Sequence, residues 1–327
     1  MLKSQPIMKR HPANPILTPQ MVPYPASLVF NAGVCMYQGR YVMVFRDDYG
    51  WDGVNMPGSY IGLAYSDDGV KWDIQPKPCM EWMDDEVERI YDPRLTVIDG
   101  RVYMCFALDT KHGLRAGIAV TEDFDQFDIL HLTTPDNRNM VLFPEMINGM
   151  YMRLERPFPV YSRGSDRFDI WCSDSPDLAY WGNSKLVLGV EDIPFSNNKI
   201  GPGAQPVKTD RGWLCLIHSV DLDTSRGMNG WAKKPWQKRY CAGVMLLDLE
   251  DPSRVIGLSK EPLLVPETDY ETKGGYRNDV IFPTGCLLDD SGEVKIYYGA
   301  ADTTICLATC QLDELLDLCK PVDIKHS

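Results

Sequence analysis

The sequence is poor in the features that mark metal-binding, membrane and nucleic-acid-binding proteins. Only five of its 327 residues are histidine, and neither these nor the ten cysteines show the paired spacing of a structural zinc site. Acidic residues outnumber basic ones 46 to 33, which gives a net charge of −13 and disfavours nucleic acid or an anionic membrane as a partner. We therefore expect no metal and no organic cofactor.

Long apolar runs are also missing. The first residues, MLKSQPIMKRHPANPILTP, contain no stretch with the length of a signal-peptide core or a membrane span, so we expect a cytoplasmic protein. Most cysteines lie instead in short strand-like segments, where we expect buried free thiols that act as small hydrophobic side chains. These are Cys35, Cys105, Cys172, Cys215, Cys241 and Cys286.

What the sequence does contain is one short unit repeated five times. In each unit a strand-like run rich in β-branched and aromatic residues follows a glycine turn, with no helical periodicity. The turns are at Gly39, Gly100, Gly149, Gly212 and Gly292. Another strand-like run precedes each turn and a third follows the hairpin. The pattern predicts an all-β protein, a five-bladed β-propeller in a single domain over residues 1–327, with a helix only near residues 312–319.

In a propeller the first strand of each blade lines the central channel, so polar residues at the start of these strands face a shared funnel. Five units that each direct a polar group to one axis exceed what a core needs, and the funnel is the predicted functional site. The residues at these starts are Asn31, Asp92 with Arg94, Arg138 with Asn139, Lys199, and Asn278 with Asp279.

Asp92 is the candidate catalytic acid of this funnel. Residues 92 and 94 of a regular strand share a face, so we expect Arg94 beside Asp92. One interpretation is that the two residues form an ion pair that closes the channel. In the other, Asp92 is the acid and Arg94 lowers its pKa, which is unfavourable for a proton donor.

Cationic side chains gather at the same funnel, although the protein as a whole is acidic. Arg138, Arg156, Lys199 and His218 lie near strand ends around it. Each by itself is typical of a surface ion pair. Together they predict an anion site, since arginine forks and a lysine charge suit a phosphate or a carboxylate.

Other polar and aromatic residues suit a sugar. Several of them follow strands, where they either recognise hydroxyl groups or are solvated turn residues. These are Arg46, Asp47, Asp48 and Asp302. Two segments, residues 48–58 and 224–239, resemble lids, and their tryptophans are candidate sugar platforms: Trp51, Trp231 and Trp236. The tryptophans at repeat positions are expected in the core: Trp72, Trp171, Trp181 and Trp213.

Taken in order, these segments resemble the β-mannoside phosphorylases of glycoside hydrolase family 130, which are five-bladed propellers. The resemblance covers nearly the whole chain and rests on the order and spacing of short motifs. They are residues 30–32, 44–46, 91–94, 138–139 with 141–144, 156–157, 199–201, 246–249 and 298–302, and His218.

The resemblance implies an inverting phosphorolysis of a β-mannoside to α-mannose 1-phosphate and a shortened saccharide, with Asp92 as proton donor. Inorganic phosphate is the co-substrate, and because it is already an anion no catalytic base is needed. The implied phosphate-binding residues are Arg138, Arg156, Lys199, His218 and Tyr240. The predicted substrate-binding residues are Asn31, Arg46 and Asp302, which match the family's mannosyl site, and the nearby Asp47, Tyr91, Arg94, Asn139 and Asp279.

Two alternatives stay open. Glu145 and Glu155 are candidate bases for a β-mannosidase on the same fold, which would release free mannose without phosphate. A non-catalytic propeller would bind saccharide without turnover. The linkage, β-1,4 or β-1,2, and the acceptor sugar are open as well, and a homo-oligomer is suggested only by analogy with family members.

Overall fold

The computed structural model describes residues 2–164, 166–227, 230–231 and 236–324, and in these residues the strands form five antiparallel sheets. A short strand, β1 (Lys9–Arg10), precedes the blades. Blade 1 consists of β2 (Leu28–Tyr37), β3 (Arg40–Tyr49), β4 (Gly58–Ser66) and β5 (Asp73–Ile74). Blade 2 consists of β6 (Val87–Ile98), β7 (Arg101–Thr110), β8 (Gly113–Thr121) and β9 (Asp128–Leu132).

The remaining blades follow in chain order. Blade 3 consists of β10 (Asn137–Leu142), β11 (Tyr151–Pro157), β12 (Ile170–Ser175) and β13 (Gly182–Leu188). Blade 4 contains β14 (Lys199–Pro202), β15 (Val207–Thr209), β16 (Gly212–Leu222), β17 (Lys238–Leu247) and β18 (Val255–Leu258). After the short helix α1 (Asp269–Thr272), blade 5 contains β19 (Ile281–Leu288), β20 (Glu293–Ala300) and β21 (Thr304–Gln311). The chain continues with α2 (Leu312–Leu318) and β22 (Lys320–Pro321). The predicted five-bladed propeller is confirmed.

Both ends of the described chain are tied into blades far away in sequence. β1 pairs with β21 and becomes the outermost strand of blade 5, while β22 pairs with β18 at the edge of blade 4. These pairings cover two sheet edges that would otherwise expose unpaired backbone groups.

The repeated glycines make the hairpin turns that the sequence predicts. In the first three blades the turn residues Gln38–Gly39, Asp99–Gly100 and Asn148–Gly149 all have positive φ, between 49° and 78°. Two successive positive φ angles are required by the type I′ turn, whose twist matches that of a β-hairpin. The glycine therefore sets the register of the first two strands of the blade.

The hydrophobic core is divided among the gaps between blades. In the described residues, a cluster of buried apolar side chains lies between each pair of neighbouring blades. The six cysteines predicted to be buried free thiols are buried and unpaired. Trp72 and Trp213 are buried as expected, but Trp171 and Trp181 are only half-buried and line a cavity. No helix among the described residues has the length and apolar character needed to cross a membrane.

A bulge interrupts the innermost strand at the same place in blades 1, 2 and 3. It shifts the pairing with the second strand after Phe30, Tyr91 and Arg138. The residue that follows each of these is left-handed: Asn31 at φ 51°, Asp92 at 54° and Asn139 at 55°. Asn and Asp tolerate this conformation better than other residues with a side chain. The bulge therefore places an amide or a carboxylate at the same level in three blades.

A buried ion pair anchors the N-terminal strand to blade 5. Glu271 is fully buried and accepts hydrogen bonds from Arg10 Nε at 2.8 Å and from the Tyr298 hydroxyl at 2.8 Å. It also accepts from the backbone N–H groups of Glu267 and Thr268. Arg10 belongs to β1, Glu271 to α1 and Tyr298 to β20, so this carboxylate joins the N-terminal strand to blade 5.

Asp47 is buried on the core side of β3, whereas its neighbours Arg46 and Asp48 face the funnel. Its carboxylate has no hydrogen-bond partner among the described residues and is fully buried. Burial, with a smaller effect from Asp48, raises the pKa of Asp47 to about 8. This position does not support the prediction that Asp47 binds substrate: successive residues of a strand point to opposite faces, and Asp47 lines neither compartment of the pocket described below.

Replacing Glu271 should weaken the attachment of β1 to blade 5 and lower the stability of the protein. In Glu271→Ala the half-buried Arg10 loses its main carboxylate partner, and we expect unfolding free energy to fall by about 3–5 kcal/mol in urea denaturation. The control Glu267→Ala removes the more exposed partner of the same arginine and should cost less than about 1 kcal/mol. Equal losses in the two variants would contradict this role for Glu271.

Asp47 should make the protein less stable as pH rises. Its pKa is higher in the folded protein than in the unfolded chain, so its favourable contribution is complete only at low pH and is lost as pH rises toward about 8. Between about pH 5 and pH 8, Asp47→Asn should reduce the loss of unfolding free energy by about 1–3 kcal/mol. The exposed Asp67→Asn should leave the pH profile of the parent unchanged, and a parallel profile for Asp47→Asn would refute the assignment.

Candidate active site

The funnel at the bulged end of the inner strands holds two adjoining cavities. The outer one has a volume of about 510 Å³ and the inner one about 80 Å³. Six residues line both: Phe30, Arg46, Arg138, Trp236, Tyr240 and Arg277. The shared lining makes them an outer and an inner compartment of one pocket.

Asp92 lies in the inner compartment and is almost completely buried. Its carboxylate accepts hydrogen bonds from Asn31 Nδ2 at 2.8 Å and Arg46 Nη1 at 3.2 Å. Burial alone would raise the pKa of Asp92, but Arg46, Arg94 and the Asn31 hydrogen bond together hold it below its usual value. The unliganded site therefore keeps Asp92 as a carboxylate at neutral pH.

Arg94 lies beneath the pocket rather than inside it. It is fully buried, and its Nη1 and Nε donate to the backbone carbonyls of Asp92 at 2.6 Å and Gly203 at 2.8 Å. It lines neither compartment, and this position does not support its predicted contact with substrate. The expected face-sharing of residues 92 and 94 fails because the bulge between Tyr91 and Arg94 breaks the alternation of the strand.

Arg46 is held rigidly beside the acid. Asp48 binds its guanidinium through Nε and Nη2, at 2.8 and 2.6 Å, and the rings of Phe30 and Tyr91 lie 4.5 and 4.6 Å from its central carbon. Tyr91 in turn donates to Asp109 at 2.7 Å. Arg46 and Tyr91 thus line the pocket as the sequence predicts, while Asp48 takes the place that was assigned to Asp47.

Two further predicted residues complete the inner compartment. Asn139 and Asp302 are both buried and line it. Asp302 accepts a hydrogen bond from Arg277 Nη1 at 3.1 Å, and burial raises the pKa of its carboxyl group. Arg277 was missed at the sequence level, although it directly precedes the predicted pair Asn278 and Asp279.

Asp279 itself lines neither compartment. Its backbone carbonyl accepts a hydrogen bond from the N–H of Tyr240 at 2.9 Å. Asp279 thus lies behind Tyr240, and its predicted direct contact with substrate disagrees with this geometry.

One wall of the pocket is cationic. Arg138 and Arg156 are contributed by the paired strands β10 and β11, and Lys199 begins β14. Arg156 is fully buried, with Nε and Nη2 unpartnered among the described residues, and Nε of Arg138 is likewise unpartnered. Lys238, which was not predicted, lines the same wall; the local positive charge of residues 224–239 was the only sequence signal for it.

Burial and the closeness of the other cations lower the pKa of two residues in this wall. Burial and then Arg138 lower the pKa of Arg156 to about 9. Burial, followed by Arg156, Lys238 and Arg138, lowers the pKa of Lys199 to about 7. A bound anion would raise the pKa of both Arg156 and Lys199, because nearby negative charge favours the charged form of each side chain.

His218 supports the cationic wall from behind. It is fully buried, lines neither compartment, and its Nε2 lies 3.4 Å from Arg156 Nη1. Burial and the neighbouring arginines hold its pKa well below the usual value, so the neutral ring accepts from Arg156. Gly201 permits this packing, since a Cβ there would lie 2.4 Å from the imidazole. Contact of His218 with phosphate is not supported by this position.

Aromatic rings form the side of the pocket next to the cations. Tyr240 lies between His218 and Trp236, with nearly parallel rings at 6.2 and 5.7 Å. Trp236 and Tyr240 line both compartments, which agrees with the expectation that Trp236 is a sugar platform.

The two predicted lids meet above the pocket. Trp51 from one segment and Trp231 from the other lie 5.0 Å apart, and Tyr276 contacts both rings. These two tryptophans pack against each other and line neither compartment. Residues 228–229 and 232–235 of the second segment lie outside the described residues.

The two glutamates considered as alternative bases lie elsewhere. Glu145 is half-buried and forms an ion pair with Lys208. Glu155 lines a separate cavity on the opposite face of blade 3, where it pairs with Arg153 at 2.9 Å. Neither lines the compartments around Asp92. Among the described residues, no group of three or more His, Cys, Asp or Glu side chains is arranged to hold a metal ion.

Comparison with known proteins identifies relatives over nearly the full length. The glycoside hydrolase family 130 description, beta-1,4-mannooligosaccharide phosphorylase, matches residues 4–321. The β-1,4-mannooligosaccharide phosphorylase of Ruminococcus albus is 34% identical over 329 residues, which cover 96% of this chain and 91% of that protein. The 1,2-β-oligomannan phosphorylase of a Thermoanaerobacter species is 31% identical, covering 94% and 98% of the two chains.

A solved structure agrees with these relatives. The β-1,2-mannobiose phosphorylase of Listeria innocua, in complex with β-1,2-mannobiose, superposes with a TM-score of 0.83 at 27% identity and covers 95% of this chain and 99% of its own. Sequence and fold lead to one assignment: this chain belongs to glycoside hydrolase family 130.

Proposed function

We propose that this glycoside phosphorylase cleaves β-mannosides by inverting phosphorolysis, yielding α-mannose 1-phosphate and a shortened saccharide. The observation that carries the proposal is that one buried carboxylate, Asp92, lines the same pocket as Arg138 and Arg156, whose guanidinium groups have nitrogens without a hydrogen-bond partner among the described residues. Phosphate is the nucleophile, and so the site needs one acid and no base.

The cationic wall supports the role of phosphate. Burial lowers the pKa of both Lys199 and Arg156, and repulsion from neighbouring cations, above all Arg156 on Lys199 and Arg138 on Arg156, lowers it further. A phosphate dianion would relieve this repulsion and be held for attack on the anomeric carbon. His218 and Tyr240 hold the wall in place, Tyr240 also reaching the pocket.

The same anion would prepare the acid. Asp92 is ionised in the empty site because Arg46, Arg94 and Arg138 favour its charged form, yet it must carry a proton to donate one. Negative charge bound at Arg138 and Arg156 raises the pKa of a carboxyl group in the same pocket. As phosphate oxygen forms the new bond to carbon, the glycosidic C–O bond breaks and the proton of Asp92 passes to the leaving oxygen, directly or through a sugar hydroxyl.

The remaining lining suits the sugar. Asn31, Arg46, Asn139, Asp302 and Arg277 offer both donors and acceptors to hydroxyl groups, and Trp236 offers an aromatic face. The hydrolytic alternative has weaker support, since Glu145 and Glu155 lie outside the pocket. A non-catalytic binding role has weaker support too, because the curated relatives are phosphorylases.

Removal of Arg156 should separate phosphorolysis from hydrolysis. With β-1,4- and β-1,2-mannobiose as substrates, Arg156→Ala should lower phosphate-dependent formation of mannose 1-phosphate by about 100-fold or more. Arg211→Ala, which removes an exposed arginine on the far side of the molecule, should retain parental activity. Release of free mannose at equal rates with and without phosphate would overturn the proposal, and Glu155→Gln would then test the base.

Anion affinity should depend on the protonation of Lys199. Because its pKa is about 7 in the empty site and a bound anion favours the charged form, affinity should fall as pH rises. Sulfate is the best probe, since it does not itself titrate in this range. Between about pH 6.5 and pH 8.5 its dissociation constant, measured by calorimetry, should rise about tenfold.

The lysine itself can be tested against a matched control. Lys199→Met should bind sulfate more weakly at the lower pH and lose most of the pH dependence. Lys208→Met, which removes an exposed lysine paired with Glu145, should behave like the parent. A pH dependence that survives in Lys199→Met would assign the titration to another group.

A further inference from the structure

A separate cavity lies between blades 2 and 3, on the face of blade 3 that points away from the catalytic pocket. Its volume is about 360 Å³, within the range of small-ligand pockets. We name it the blade 2–3 cavity. It is lined by His131, Thr133, Thr134, Asn137, Arg153, Glu155, Pro157, Val160, Trp171, Trp181 and Ser184.

A buried charged network forms its floor. Arg153 and Glu155 are both about nineteen-twentieths buried, at 5% and 4% exposure, and pair at 2.9 Å. Ser173 joins them, accepting from Arg153 Nε at 2.8 Å and donating to Glu155 at 2.9 Å. Asn137 donates to Glu155 at 2.6 Å, and the guanidinium of Arg153 lies 4.3 Å from the ring of Trp181. The two charges cancel, so the floor has no net charge.

Three polar atoms of this lining are buried without a partner among the described residues. They are Arg153 Nη1, Asn137 Oδ1 and His131 Nε2. The first is a donor. The second is an acceptor, because the amide nitrogen of Asn137 is used on Glu155. The third is also an acceptor, because Nδ1 of His131 lies 2.9 Å from the carbonyl of Ala179 and must donate to it. The residues that line the cavity therefore hold one donor and two acceptors that the described residues leave without a hydrogen-bond partner.

The corresponding positions in blades 1 and 2 are apolar. The blades can be aligned on the second-strand residue that pairs just before the bulge, which is Arg46, Ala107 or Arg156. One position earlier, Glu155 of blade 3 corresponds to Phe45 and Phe106. Three positions earlier, Arg153 corresponds to Met43 and Met104. All four apolar residues are buried. Packing of a blade at this level is thus achieved with Phe and Met.

The neighbouring third strand differs in the same way. Phe45 and Phe106 pair with Gly62 and Gly117, whose missing side chains leave room for the rings. In blade 3 the residue that pairs with Glu155 is Trp171. Burial of an ion pair generally stabilises no better than apolar packing, so blade stability alone does not account for the Arg, Glu and Trp found here.

We propose that the blade 2–3 cavity is a second saccharide-binding site, which takes a neutral sugar unit outside the catalytic pocket. Hydroxyl groups both donate and accept, as the three free atoms require. Trp171 and Trp181 supply flat apolar walls for the C–H face of a pyranose ring. An anion would find two free acceptors facing it, and a cation would face Arg153.

The test uses the full-length protein labelled with 5-fluorotryptophan. The chain has eight tryptophans, and Trp→Phe substitutions assign the ¹⁹F signals of Trp171, Trp181 and Trp236. Titration with β-1,4-mannotriose in phosphate-free buffer should shift the signals of Trp171 and Trp181 with a saturating curve of their own. Trp236 reports separately on the catalytic pocket, so the two sites are read in one experiment.

Two matched variants test whether the saccharide that shifts the Trp171 and Trp181 signals binds inside the blade 2–3 cavity. Ser184→Phe fills the exposed mouth of the cavity without touching its charged floor, and should weaken the response of Trp171 and Trp181 at least tenfold while that of Trp236 stays unchanged. Lys185→Phe places the same ring on the opposite face of β13 and should retain both responses.

Several outcomes would overturn the proposal. They are silence of Trp171 and Trp181 at saccharide concentrations that saturate Trp236, a response that persists in Ser184→Phe, or a response to sulfate in place of sugar. A response at Trp171 without one at Trp236 would support the second site and contradict the catalytic assignment instead.

Discussion

The pocket depends on one backbone constraint, the bulge that interrupts the innermost strand of the first three blades. At each bulge one residue adopts a left-handed conformation that Asn and Asp tolerate, and these residues are Asn31, Asp92 and Asn139. A regular strand would turn them toward the neighbouring blade or bury Arg94 against the carboxylate. Since three blades share the same interruption, their polar groups converge, and the hydrogen bond from Asn31 to Asp92 joins two blades directly.

The pocket gathers positive charge that no carboxylate among the described residues pairs with. Arg138, Arg156 and Lys199 line one wall of it, and Arg156 is fully buried, in a chain of net charge −13. Leaving buried charges unpaired is costly, and the depressed pKa of Lys199 is one expression of that cost. In the proposed reaction, an anion bound at this wall would also favour the protonated form of Asp92. Phosphate binding and protonation of the proposed acid would then be coupled through electrostatics.

Blade 3 lines two cavities because successive side chains of β11 point to opposite faces of the sheet. Glu155 and Arg156 are successive residues, yet Arg156 faces the catalytic pocket and Glu155 faces the blade 2–3 cavity. Along the chain, a glutamate next to an arginine that is predicted to bind phosphate resembles a catalytic base. Across the sheet it belongs to a different network, with Arg153 and Ser173.

The sequence by itself determined the architecture and most of the pocket. Repeated glycine turns and strand-like runs define five blades, because hairpin geometry is a local property, and motif spacing led to Asp92, Arg138, Arg156, Lys199 and Tyr240. The tertiary structure alone decided which face each neighbour occupies. Asp47, Arg94 and His218 lie behind the pocket, and Lys238 and Arg277 enter it, because bulges and loop packing change side-chain direction without leaving a local pattern. The closure of the ring by β1 and the cavity between blades 2 and 3 were equally hidden, since both are made by residues far apart in the chain.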